Sequence, residues 1–221
     1  MIIAIETATD ICSVACRDAK GVVHERSGIG KGVHSEKLFL FLEELREEGF
    51  WHPDGLTEML ISSGPGSYTG LRIGAAALKG LLFQRQVPLF SLGTLLSLGA
   101  GVLAERPETK RLHLVLDARR KHLYHRLLEV RDEEIIIGEA VVRPIREFEE
   151  TWVREGDSVA GTGLDRLGSE TRQRATLLDK PGISSLHLIH ARSDPRFAHL
   201  FVREDVELFE PNYLTMGQTG R

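Results

Sequence analysis

The chain has 221 residues, 42% hydrophobic and 27% charged, enough for one large domain or two small ones with real cores. A formal net charge of −4 and a pI near 6.2 argue against a stand-alone nucleic-acid binder, which carries a basic face. The opening MIIAIETATD has neither the basic region nor the apolar core of a signal peptide, and no run reaches the ~18 apolar residues of a membrane helix, so a cytoplasmic protein without membrane contact is expected.

In chain order, residues 2–6, 11–17 and 21–27 read as short strands, IIAIE, ICSVACR and GVVHERS, joined as a meander by turns containing Thr-Asp and Lys-Gly. Cys12 and Cys16 fit a reducing compartment; on one strand they stand roughly 13 Å apart, too far to bridge. HSEKLFLFLEELREEG, 34–49, reads as a helix with Leu38, Phe41, Leu42 and Leu45 on one stripe and Gly49 as its stop. Phe39 and Leu40 lie off that stripe, so this helix carries more apolar surface than one buried face uses. Residues 57–63 form a fourth strand, the glycine-rich loop follows, and a helix runs over 71–85. VPLFSL is a fifth strand and leads into a helix near 94–104. The charged, proline-containing ERPETKR divides an N-terminal lobe, 1–105, from a smaller C-terminal lobe, 106–221, whose closing helix is free to pack back onto the first.

Beyond that boundary LHLVLDA, HLYHRLLEV and EIIIGEAVV read as three strands, then a helix near 144–154 and the strand SVAG. Three strands followed by helix and strand therefore occur twice, near 2–63 and near 112–161, and imply a duplicated α/β plan. Residues 164–185 are polar and irregular, DPRFAHLFVRE reads as a closing helix, and ELFEPNYL as an extended end.

The stretch SSGPGSYTGLRIGAAALKG, 62–80, sits between strand and helix, where many proteins cradle phosphate. It fails both G-x-x-x-x-G-K-[ST] and G-x-G-x-x-G, because Gly64, Gly66 and Gly70 give G-x-G-x-x-x-G. A tight turn with close helix–strand packing is the plainer reading. Gly70, Gly74 and Ala77 line one helix face, where small side chains let another helix come close. His122 and His125 point to opposite sides of a strand, and His187 and His190 converge only on a helix, so neither pair makes a zinc site. Ser67, Thr69 and Asp117 have no histidine tied to them by sequence, and no G-x-S-x-G elbow is present.

IAIETATDICSVAC, His34-Ser35 opening a helix, SSGPGSYTGLRIGAAALKGL, VLDARRKHLY and the terminal PNYL together resemble the TsaB family, over most of the chain and least over 130–200. The resemblance implies a two-lobed actin-like, ribonuclease H-like fold, each lobe a mixed sheet with helices. It further implies a non-catalytic dimerisation subunit that pairs with TsaD, the catalytic member, to make threonylcarbamoyladenosine on tRNA beside the anticodon. TsaD-like chains carry a metal on a His-x-x-x-His pair; here Thr94 and Leu98 stand at those places. Glu6 fits the acidic start of a first phosphate loop, but Ala118, Arg119, Arg120 and Lys121 replace the glycines of a second, and Ala160–Gly163 is a short adenosine-side loop. The expectation is therefore no catalytic residue, nucleotide, metal or cofactor. The expected interface comprises Leu38, Phe39, Leu42, Gly70, Gly74, Ala77 and Leu81, with a homodimer in isolation, further subunits in the modification complex, and tRNA only within it. The alternative is a free-standing ATP-dependent small-molecule kinase of the same fold; a glycoprotein-cleaving protease finds no nucleophile–base pair.

Overall fold

Strand β1, Ile2–Glu6, is buried at every position, the pattern of a strand covered on both faces. The computed structural model describes residues 1–132, 134–178 and 183–214, and the backbone of 219–220. β1 pairs antiparallel with β2, Ile11–Arg17, which pairs antiparallel with β3, Val23–Ile29. Helix α1, Val33–Glu47, then carries the chain over to β4, Glu58–Ser62, parallel to β1. Helix α2, Tyr68–Leu82, leads to β5, Leu89–Leu92, parallel to β4.

The second sheet repeats the plan. After α3, Thr94–Glu105, come β6, Arg111–Asp117, and β7, His122–Arg131, an antiparallel pair. Against β7 lie β8, Glu134–Ile137, and β9, Ala140–Pro144. Helix α4, Ile145–Glu147, runs into a π-helical turn, Phe148–Trp152, and β10, Ser158–Ala160, returns parallel to β6. A 3-10 turn, Thr162–Arg166, and α5, Ser169–Arg174, precede β11, Thr176–Leu178, parallel to β10. With β12, Val202–Glu204, and β13, Thr219–Gly220, at two of the edges, strand order is β12-β5-β4-β1-β2-β3 in one sheet and β11-β10-β6-β7-β9-β13 in the other. Three antiparallel strands and two parallel crossovers thus occur twice; the element order implied the first crossover of each set, and α5 with β11 adds the second in the C-terminal half.

Alternation along β1 sets the layers. Ile3 and Ile5 pack under α1 and α2, while Ile2 and Ala4 face a second cluster that also holds Leu95 and Leu98 of α3 and Leu114 of β6. Helix α6, Ser185–Ser193, completes that middle layer through Leu188 and Ile189. Among the described residues no helix is long and apolar enough to cross a membrane.

Four stretches differ from the sequence reading. EIIIGEAVV is two strands, because Gly138 N–H turns aside to donate to the Leu127 carbonyl at 2.9 Å. The closing helix is only α7, Pro195–Ala198, capped by Asp194; the chain then adds β12, Val202–Glu204, to the edge of β5. The long helix at this end is α6, missed because its histidines and serines break the usual apolar stripe. The irregular stretch 164–185 contains short turns, α5 and β11, with 179–182 outside the described residues.

Candidate functional site

β1 ends in Glu6, fully buried where the β1–β2 turn meets the glycine loop. Its carboxyl accepts the Ala8 N–H at 2.7 Å and takes the Ser62 hydroxyl on its other oxygen. Burial outweighs these contacts and pushes its pKa up to about 7. The loop after Ser62 closes over the same turn. Ser67 N–H donates to the Ala8 carbonyl at 2.6 Å, and the Ser67 hydroxyl caps α2 at Gly70 N–H. A Cβ at Gly66 would collide with the Ala8 carbonyl, and one at Gly70 with the Thr7 carbonyl. These glycines serve close packing: the groups that would face a phosphate face the chain's own backbone.

β6 occupies the corresponding place in the second sheet and ends in Asp117, which is exposed. Arg119 and Arg120 both take the left-handed region, with φ of 66° and 52°, in the tight β6–β7 turn. Asp117 accepts the Arg119 N–H at 2.7 Å and the Arg166 guanidinium at 2.6 Å, and Arg166 also bonds the Arg120 carbonyl. The adenosine-side candidate is filled as well. Gly161, at φ 119°, lies so close that a Cβ would strike the Val115 carbonyl, with Leu98 Cδ2 3.0 Å away on the other side.

Thr94 and Leu98 are both buried on α3, and Leu98 belongs to the middle core layer. Among the described residues no group of three histidine, cysteine, aspartate or glutamate side chains could hold a metal ion. His122 and His125 do lie on opposite faces of β7. On α6, His187 is buried over Gly101, and His190 is exposed. Thr94 and Leu98 are not a metal-ligand pair, and Gly66 and Gly70 of the glycine loop pack on the chain's own carbonyls. Cys12 and Cys16 are buried free thiols, pushed up by burial to about 12 and about 11, and are unreactive in this state.

The expected interface residues divide by face. Gly70, Gly74 and Ala77 are buried, and a Cβ at Gly74 would run into the Thr7 hydroxyl and approach Ile61 Cδ1 to 3.4 Å. The small stripe thus faces β1 and β4, correcting its assignment to a partner helix: small residues mark close approach, and here the approach is to the chain's own sheet. Leu38 and Leu42 are likewise buried, under α1, and Leu81 is half-buried in a small apolar pocket with Ile3, Trp51 and Met59. Phe39 is 58% exposed, and Leu40 beside it 43%. On α2 the solvent side carries Thr69, Arg72, Ala76 and Gly80, with half-buried Ile73, and Phe83 just beyond is 73% exposed. Nothing approaches within 4 Å of a Cβ placed at Gly80. The sequence reading missed this second small pair, Ala76 and Gly80, and it missed His113, Arg143 and Asp157. The signal for His113 was a polar side chain in the alternating run RLHLVLD.

A family model described as TsaD: tRNA N6-adenosine threonylcarbamoyltransferase matches residues 19–170. The tRNA threonylcarbamoyladenosine biosynthesis protein TsaB of Escherichia coli K12 is 28% identical over 177 residues, which cover 77% of this chain and 76% of that protein. The TsaB of Bacillus subtilis 168 is 28% identical over 131 residues, 59% of this chain and 56% of that one. The solved structure of YeaZ from Pseudomonas aeruginosa superposes with a TM-score of 0.78 at 22% identity, covering 96% of this chain and 99% of its own.

Proposed function

The chain belongs to the family of that TsaD model, on the side of its TsaB relatives, and on this premise we propose that it is a non-catalytic partner subunit in threonylcarbamoyladenosine modification of tRNA. One observation carries the non-catalytic half of this reading. Both carboxylates that would begin a phosphate loop are already engaged by the chain itself, Glu6 buried against Ser62 and Asp117, though exposed, paired with Arg166. A small-molecule kinase needs those loops open, and a protease needs a nucleophile and base.

The partner is a TsaD-type protein, the catalytic member of the pair, and it docks on the solvent faces of α1 and α2. Phe39, Leu40 and Phe83 offer exposed apolar anchors, and the exposed small residues Ala76 and Gly80 allow a partner helix to come close. The same surface serves a weaker homodimer when the partner is absent. With a net charge of −4 the chain alone holds tRNA weakly, and tRNA engages the assembled complex.

The test is titration calorimetry of the chain against the TsaD-type protein of the same source, together with a tRNA modification assay with and without this chain. Gly80→Leu adds bulk where nothing stands, so the variant should fold and melt like the parent. Its affinity should fall more than about tenfold, on the order of 1.4 kcal/mol. Undiminished affinity puts the interface elsewhere, and full modification without this chain ends the subunit reading.

A further inference from the structure

The outer core of the second sheet holds a line of polar side chains that the function above does not use. Antiparallel pairing sets Val115 of β6 opposite His125 of β7, which makes His113 and His125 diagonal neighbours on one face. Both rings are buried, and so is Asp157 in the turn before β10. His113 Nδ1 lies 3.0 Å from His125 Nε2, and His113 Nε2 lies 2.9 Å from Asp157 Oδ2. At the other end Arg143 Nε donates to His125 Nδ1 at 3.3 Å.

The two ends fix every proton between them. Asp157 also accepts the Arg111 Nε at 3.1 Å and the Arg154 N–H at 2.8 Å. Burial opposes its charge, yet the Arg154 N–H, the His113 ring and the Arg111 guanidinium hold its carboxyl below the usual range. An ionised Asp157 only accepts, so His113 carries its proton on Nε2 and must accept on Nδ1. His125 therefore carries its proton on Nε2, which leaves Nδ1 to accept from Arg143. Both rings are the same tautomer and both are neutral. A second proton on either one would set donor against donor.

We infer that this one-way chain, Arg143 to His125 to His113 to Asp157, is an acid-sensitive latch that pins the Phe148–Trp152 turn to the second sheet. The turn is held through the rings themselves. Phe148 stands edge-on to His113 and His125, at centroid distances of 5.5 and 4.9 Å, Trp152 stands 5.4 Å from His125, and the Arg143 guanidinium lies 4.1 Å over the Trp152 ring. The charged groups around the chain are already matched. Arg111 of β6 meets Glu129 of β7 at 2.5 Å as well as Asp157; Arg143 of β9 meets Glu147 of α4; Arg154 faces the same turn.

Burial, acting against Asp157, pushes His113 below its ordinary value, and burial with the neighbouring His113, Arg143 and Arg111 pushes His125 well below. An opened turn frees both rings to bind protons at about pH 6.5, while the closed turn holds them neutral to lower pH. The open state thus holds more protons in acid: closure is at full strength above about pH 6.5 and weakens as pH falls. Two such rings make opening easier by at most about a hundredfold per pH unit, a limit approached well below that point.

Nitrogen-resolved imidazole NMR on the full chain should find both rings in the Nε2–H tautomer and neutral at pH 5.5. Hydrogen exchange of residues 145–154, corrected for its intrinsic pH dependence, should report an opening constant up to about thirtyfold larger at pH 5.5 than at pH 6.5, and His125→Phe should cut that rise to about fivefold. An Nδ1–H tautomer at either ring, a ring titrating near its ordinary value in the folded chain, or pH-independent protection of this turn would overturn the inference. Should His125→Phe not fold, the tautomers in the unaltered chain still decide it.

Discussion

β1 and β6 hold the same place in two sheets of the same order, and each ends in a carboxylate. Glu6 is sealed under the glycine loop, while Asp117 lies open and is tied down by Arg166. The difference begins in the turns. After Glu6, glycines at 66 and 70 let α2 press directly on the backbone of Thr7 and Ala8. After Asp117, two left-handed arginines make a hairpin that nothing covers. One topology can therefore carry two chemistries, because strand order fixes where a carboxylate stands while the packing of the next turn fixes its solvent. The first carboxylate is sealed by desolvation, and the second, still exposed, is held by an ion pair.

The sharpest way to break the comparison is Gly74→Leu. Its side chain must displace Thr7 and Ile61, so the first sheet should lose more than about 4 kcal/mol or fail to fold, an overpacking effect at the severe end. A parent-like melting curve would mean that α2 stands off the sheet.

Glu6→Gln tests the seal with a smaller effect. The Glu6 pKa rises from an ordinary 4.5 to about 7, so the folded state holds the proton more firmly than the unfolded chain. Its contribution to stability is present below about pH 4.5 and is lost as pH rises through about 7, on the order of 3 kcal/mol. This slope opposes that of the His113–His125 pair, so it is read as the difference between parent and variant in denaturant titrations at pH 5 and pH 8. Parallel pH profiles would refute the buried, proton-holding Glu6.

Arg166→Ala probes the open counterpart. It removes a half-exposed ion pair with Asp117 and the bond to the Arg120 carbonyl, so about 1 kcal/mol is expected from thermal or denaturant unfolding. A loss as large as that of Gly74→Leu would show that the second closure is as deep as the first.

Much of this protein was legible in its residues. Period-two runs and turn signals placed the strands, and the repeat of three strands, helix and strand announced the duplicated sheet before any coordinate. The replacement of paired histidines by Thr94 and Leu98 spoke against a metal at once. What periodicity cannot supply is the partner of each face. Helix α2 carries small residues on two sides, at 70, 74 and 77 and again at 76 and 80, and sequence spacing alone does not say which side meets a sheet. Helix α6 is buried at Ser185 and His187 as well as at its aliphatic positions, because it lies between a sheet and α3, so no single stripe marks it. The His113–His125–Asp157 line joins residues 12 and 44 positions apart, and only strand register brings them within hydrogen-bond reach. Local spacing determined the elements. Contacts between elements distant in sequence decided what is buried, what is closed and what is left facing solvent.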